Sequence, residues 1–167
     1  MKKLKVMSIF GTRPEAIKMA PVVLELGKYP QIESSVAVTA QHREMLDQVL
    51  KLFGIIPDFD LNIMSEGQTL FDITSRALLG LDKVLTAAKP DIVLVHGDTT
   101  TTFAGALAAY YHQIEVGHVE AGPPPPHKFF PLPDAMYRPL TGSLSVFNFS
   151  PTLTAPDTLP RGGVALS

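Results

Sequence analysis

Between residues 91 and 122 the chain passes twice from a short apolar run straight into acidic and imidazole side chains, and this doubling constrains the fold more than any other feature. Asp91-Ile92-Val93-Leu94-Val95-His96 is nearly continuous in apolar residues, the pattern of a parallel strand covered on both faces. His96-Gly97-Asp98-Thr99 then turns the chain, through four threonines, into a small-residue helix predicted over 103–110. A second strand is predicted over 114–119, and two-residue alternation predicts His118 and Glu120 on one face at its end. In open α/β sheets ligands bind beyond the carboxyl ends of the strands, so Asp98, His118 and Glu120 are candidates for one small-molecule site. Asp98 has a second reading as N-cap of the helix that follows. Glu120 is harder to assign to structure alone, because a carboxylate closing an apolar strand is costly to bury without a partner.

Upstream the same unit recurs. Residues 4–10 read as a first strand, and Gly11-Thr12-Arg13-Pro14-Glu15 leads into a helix predicted to run to about Lys28. Thr12 and Glu15 have the spacing of a capping box, and Pro14 fits the first turn, where its missing N–H has no helical partner to lose. The start of this helix lies at the carboxyl end of a strand and is suited to an anion, with Arg13 and Lys18 adding charge. Both also fit the ordinary role of solvated surface cations. Pro21 is predicted to kink the helix or start a new turn. The turn lacks the GxGxxG pattern, so a dinucleotide site is not supported.

A strand predicted over 34–39 ends in Gln41-His42-Arg43, three polar groups at another strand-to-helix turn. Met45, Leu46, Val49, Leu50 and Phe53 then follow at helical spacing. Residues 54–67 read as a long connection, and Leu70, Ile73, Ala77, Leu81 and Leu85 form the apolar stripe of a helix over 69–88. Alternating strands and helices predict an α/β fold: a Rossmann-like parallel sheet flanked by helices, with every turn named above at one edge.

Composition limits the function classes. The 167 residues suit one domain over 1–167, and 46% hydrophobic residues are enough for a core. Fourteen Lys and Arg against sixteen Asp and Glu give a net charge of −2, without the basic field of a nucleic-acid clamp. No cysteine is present, which removes disulfides, thiolate metal sites and a cysteine nucleophile. The apolar run after the N-terminal lysines is too short for a signal peptide, and no window reaches membrane-spanning length. These features predict a cytoplasmic protein with neither a nucleic-acid nor a membrane partner.

Four motifs, Phe10-Gly11-Thr12-Arg13-Pro14-Glu15-Ala16, Thr39-Ala40-Gln41-His42-Arg43, His96-Gly97-Asp98-Thr99 and Gly117-His118-Val119-Glu120-Ala121-Gly122, together resemble the non-hydrolysing UDP-N-acetylglucosamine 2-epimerases. The likeness runs from about residue 5 to 122. It implies the N-terminal domain of a two-domain, glycosyltransferase-B-like fold, with the family's C-terminal UDP-binding domain outside this chain. The implied activity is interconversion of UDP-GlcNAc and UDP-ManNAc by elimination and re-addition of UDP through 2-acetamidoglucal, supplying bacterial surface polysaccharides. A homodimer is implied for the full-length protein, with no cofactor and no metal. Residue by residue, the resemblance implies catalytic roles for Asp98, Glu120 and Asp134. It implies substrate contacts for Arg13, Lys18, His96, His118 and Arg138, and a regulatory UDP-GlcNAc site near Gln41, His42 and Arg43.

After Gly122 the pattern departs from the family. Pro123 to Pro126 replace an expected Leu-Arg-Thr-Gly type turn. Asp134 stands for a catalytic Glu and Ala135 for the next acid, while Arg138 is retained. Shortening Glu to Asp withdraws the carboxylate by about 1 Å, a displacement that can cost on the order of a hundredfold in rate. Residues 146–152 resemble the family's next strand. Two alternatives to the epimerase stand beside it: a hydrolysing 2-epimerase, and a non-catalytic nucleotide-sugar-binding or assembly domain.

Overall fold

A computed structural model describes residues 2–41, 43–122, 126, 127, 129 and 132–150. His42, the prolines at 123–125 and the tract from 151 to 167 lie outside the described residues. The chain alternates β1 (Leu4–Phe10), α1 (Arg13–Leu26), β2 (Ile32–Val38), α2 (Arg43–Phe53), β3 (Phe59–Asp60), α3 (Leu70–Ala88), β4 (Ile92–His96), α4 (Thr100–Tyr111), β5 (Glu115–Val119), α5 (Asp134–Leu144) and β6 (Phe147–Phe149). The strands form one sheet in the order β3-β2-β1-β4-β5-β6. Every pairing is parallel, so all strands end at the same edge.

Alternation along β1 sets the layers. Val6 and Phe10 belong to the core under α1 and α2, with Ala16, Met19, Leu46 and Leu50. Met7 and Ile9 point the other way, into the core under α3 and α4 with Leu81, Leu85 and Ala104. A strand inside such a sheet is apolar on both sides, which is why β4 reads as a nearly continuous apolar run and β1 is interrupted only by Lys5 and Ser8. The small residues of α4 let that helix approach closely: a Cβ on Gly105 would lie 3.0 Å from Val95 Cγ1.

Three buried polar linkages fix the strand ends. Glu15 is 2% exposed, and its Oε2 accepts from the amides of Gly11 (3.1 Å) and Thr12 (2.8 Å) and from the Thr12 hydroxyl (2.7 Å). Its Oε1 accepts from the Thr99 hydroxyl at 2.7 Å, so one carboxylate joins the turn after β1 to the turn after β4. Alongside, the hydroxyls of Thr39 and Thr101 bond at 2.8 Å across Gly11, where a Cβ would lie 2.0 Å from Thr39 Oγ1. No side chain fits at residue 11. Fully buried His118 on β5 places its Nε2 2.7 Å from the Gly97 carbonyl, which accepts from it, and so ties β5 to the turn after β4.

The structure differs from the sequence expectations at several points. β2 begins at Ile32 rather than at residue 34 and α4 begins at Thr100, while α1 ends at Leu26 and continues through Pro21 as one helix. The connection over 54–67 contains the two-residue strand β3, and α5 has no counterpart in the helical periodicity that identified the others. Thr99, not Asp98, caps α4: its hydroxyl accepts from the Thr102 amide at 3.2 Å. β5 stops at Val119, and Glu120 takes a left-handed backbone with φ of 62°, so alternation ends before it and does not place it with His118.

The Glu15 linkage predicts a large stability effect. Glu15→Ala strands two amides and two hydroxyls and should cost about 3 kcal/mol in urea unfolding. Glu15→Gln should cost roughly half as much, because threonine hydroxyls can rotate to accept from the amide. Losses under about 0.5 kcal/mol for both would remove the linkage from the account of the fold.

Burial is also the principal reason that the His118 imidazole is pushed from 6.5 down to about 4, against its bond to the Gly97 carbonyl. The unfolded chain therefore takes up this proton first as pH falls, and stability declines from about pH 6.5 to about pH 4. His118→Gln should lack this part of the pH slope. Equal slopes for both proteins would show that His118 does not set it.

Candidate active site

The strand ends build the site by unusual backbone turns. β2 exits through Ala40 (φ 55°), β4 through Gly97 (φ 74°) and β5 through Glu120 (φ 62°), all in the left-handed region. Such a conformation costs a non-glycine residue on the order of 1 kcal/mol or more and is concentrated at functional positions. Its effect at Glu120 is to turn the carboxylate toward β4 and α1. There Oε1 accepts from the Lys18 ammonium of α1, and Oε2 lies 2.8 Å from His96 Nε2 at the end of β4.

The three members of this group differ in freedom. The Lys18 side chain is 52% exposed, that of Glu120 23% and that of His96 6%. Although His96 Nε2 is within ion-pair range of Glu120, the ring is not aligned for a hydrogen bond, and neither nitrogen has a hydrogen-bond partner among the described residues. Burial lowers the His96 pKa more strongly than the Glu120 charge raises it, which favours a neutral ring at neutral pH. At Glu120, burial works upward, but the Lys18 hydrogen bond and the neighbouring positive charges outweigh it and hold the carboxyl below its ordinary range.

A second group stands on α5. Arg138 Nη2 donates to Asp98 Oδ2 at 3.4 Å, and the guanidinium lies over Gly122, where a Cβ would meet Nη1 at 3.0 Å. Tyr137, the preceding residue, stacks on Phe103 of α4 with ring centroids 5.6 Å apart and accepts a 3.3 Å hydrogen bond from the Thr100 hydroxyl. The stack seats the start of α5 against the start of α4. Asp134 opens α5, and its pKa is raised by burial and by the charge of Asp98. Arg138 is also close enough to influence the charge states of His96, His118 and Glu120.

Lys18, His96, Asp98, Glu120, Asp134 and Arg138 are thus brought to one region, the carboxyl edge of β4 and β5. His118 is fully buried beneath it, with Nε2 on the Gly97 carbonyl. Arg13 is the exposed first residue of α1 and makes no ion pair among the described residues. Gln41 and Arg43 are elsewhere, beyond β1 on the β2 side. The Gln41 amide donates to the Gly11 carbonyl at 3.1 Å. Arg43 is held within its own neighbourhood by Asp47 and Asp60, at 2.7 Å each, and these hydrogen bonds raise its pKa. His42 cannot be placed with them, being outside the described residues.

The sequence reading missed three supporting residues. Thr99 and Tyr137 carry no signal that separates them from their neighbours. Glu15 was visible as a capping residue, but its reach to Thr99 depends on β1 and β4 being adjacent. Among the described residues, no group of three or more His, Cys, Asp or Glu side chains is arranged to hold a metal ion.

Residues 24–166 match the family model described as UDP-N-acetylglucosamine 2-epimerase. The chain is 66% identical over 159 residues to the UDP-N-acetylglucosamine 2-epimerase of Bacillus subtilis, covering 95% of this chain and 42% of that protein. To the Escherichia coli K12 enzyme of the same name it is 59% identical, covering 97% and 43%. The crystal structure of UDP-GlcNAc 2-epimerase from Neisseria meningitidis bound to UDP-GlcNAc superposes with a TM-score of 0.89 at 55% identity, covering 93% of this chain and 42% of that one. The chain therefore spans less than half the length of these relatives. The fold is that of a glycosyltransferase-B-like Rossmann domain, and the chain belongs to the UDP-N-acetylglucosamine 2-epimerase family.

Proposed function

We propose that this chain is the N-terminal domain of a protein that interconverts UDP-GlcNAc and UDP-ManNAc. The observation that carries the reading is the meeting of Glu120, Asp98 and Asp134 with Lys18, His96 and Arg138 at one edge of the sheet. Surroundings push the carboxyl groups apart, Glu120 downward and Asp134 upward. Carboxyl groups separated in this way can act as base and acid at one pH.

In the proposed reaction Glu120 takes the proton from C2 while the C1–O bond breaks, and UDP leaves with the bonding electron pair. The product is 2-acetamidoglucal, with a double bond between C1 and C2. Asp134 returns a proton to the opposite face of C2 as a UDP oxygen attacks C1. Lys18 and Arg13 meet the charge of the departing diphosphate, and His96 and Arg138 keep the carboxylates in place. His118 acts from below through Gly97. Gln41, His42 and Arg43 would contribute to a separate regulatory UDP-GlcNAc site, which requires Arg43 to exchange Asp47 or Asp60 for the ligand.

The remainder of a full-length protein would carry most uridine contacts, and we infer a homodimer in the cytoplasm that serves surface-polysaccharide synthesis. Two facts are consistent with that setting: the Neisseria relative is bound to UDP-GlcNAc, and no helix among the described residues is long and apolar enough to cross a membrane.

Turnover in D₂O tests the chemistry. Full-length protein should introduce deuterium at C2 of both UDP-sugars, read by NMR, with the UDP-sugar remaining intact. Free ManNAc and UDP would instead identify hydrolysis, and retention of the original C2 proton would remove solvent-exchanging carboxyl groups from the mechanism.

Asp98 is separated from the helix cap by the Thr99 geometry. Asp98→Asn should therefore leave stability within about 0.5 kcal/mol while lowering the kcat of the full-length enzyme by on the order of a hundredfold or more. Activity within a few-fold of the parent would leave Asp98 only as the partner of Arg138.

A further inference from the structure

We propose that Lys18 is a ligand-operated switch on Glu120: the ammonium that pairs with the carboxylate is drawn away by a diphosphate, which leaves Glu120 beside His96 as a stronger base. The inference rests on the proposed function only for the chemical class of the anion. A general base paired with an ammonium is weakened by it, yet Lys18 is hydrogen-bonded to the Glu120 carboxylate.

Exposure is distributed so that Lys18 yields more readily than Glu120. Glu120 is fixed by a left-handed backbone, and its flanks are tied down: the Ala121 amide donates to Phe149 O and the Gly97 amide to Val119 O, both at 3.0 Å. His96 is buried. Lys18 is half exposed on a flexible four-carbon stem. Its ammonium can swing away into solvent, while the carboxylate is the less exposed of the two on an anchored backbone.

The anion has a route to it. Arg13 opens the same helix, is exposed and makes no ion pair among the described residues, so it provides a first point of attachment at the helix start that precedes Lys18. A diphosphate offers more charge and more acceptor oxygens than one carboxylate. The groups facing Glu120 are Lys18 from α1, His96 from β4 and Arg138 from α5. Arg138 is already engaged with Asp98, which leaves Lys18 as the partner whose departure changes the proton affinity of Glu120 most. Proton abstraction is thereby coupled to the presence of the group that must leave.

The test follows the Glu120 side-chain carboxyl by carbon-13 NMR through a pH titration of this chain, with inorganic pyrophosphate as probe. In the parent, saturating pyrophosphate should move the Glu120 midpoint upward. Lys18→Met should raise the midpoint without any ligand, and pyrophosphate should then add little; Lys18→Arg should retain the parent's low value. The switch is overturned if Lys18→Met leaves the midpoint unchanged or if pyrophosphate fails to move it in the parent. It is equally overturned if pyrophosphate moves it as far in Lys18→Met, because the ligand's own charge would then be the cause. Turnover is not read, so the outcome is separable from the D₂O experiment. An active epimerase whose Glu120 ignores pyrophosphate has the chemistry without the switch, and an inactive protein that passes has a switch for another diphosphate.

Discussion

The Glu15 carboxylate is the interaction on which the geometry of the active edge depends. It lies between the two strand-to-helix turns that present Arg13 and Lys18 on one side and Asp98 on the other, and it accepts hydrogen bonds from both. A buried carboxylate is expensive unless its oxygens are satisfied, and here four donors within 3.1 Å satisfy them. The cost of leaving any donor unpaired makes the relative position of the two turns discrete. Groups that must cooperate on one small molecule need positions fixed to well under an ångström, and a packed apolar core alone does not register two loops so finely.

Much of this architecture was legible in the sequence because parallel sheets leave a strong trace. β1 and β4 are apolar on both faces, the α2 and α3 helices carry regular stripes, and Pro14 and Glu15 mark the start of α1. β3 was hidden because two residues cannot display alternation, and α5 because Pro139 and Gly142 interrupt its pattern. The candidate site was legible as a set of residues at strand ends, but its pairings were not. Lys18 meets Glu120 across 102 positions of sequence, and only the sheet order, with β4 alone between β1 and β5, brings them together. The expectation that failed outright, His118 and Glu120 on one face, failed because alternation holds only while the backbone stays extended.

The second group shows how a loop-borne helix is given a defined place. α5 follows a proline-rich stretch of sequence, and its Tyr137 stacks on Phe103 and accepts a hydrogen bond from Thr100 at the start of α4. That contact sets Arg138 over Gly122 and beside Asp98, and it sets Asp134 where the charge of Asp98 is felt. The electrostatic contrast between Glu120 and Asp134 is therefore a packing result as much as a matter of charge. Glu120 sits beside the Lys18 ammonium and in the field of Arg138, and Asp134 faces another acid.

The left-handed backbone of Glu120 sets thermodynamic preference against chemistry at one position. Glycine or asparagine would occupy φ near 60° with less strain, so a procedure that ranked substitutions by folding stability alone would select them there. Either one removes the carboxylate that faces Lys18 and His96. Under the proposed mechanism residue 120 is thus a place where a more stable protein and a competent one are different molecules, and thermostabilised versions of this domain would be designed around it rather than through it.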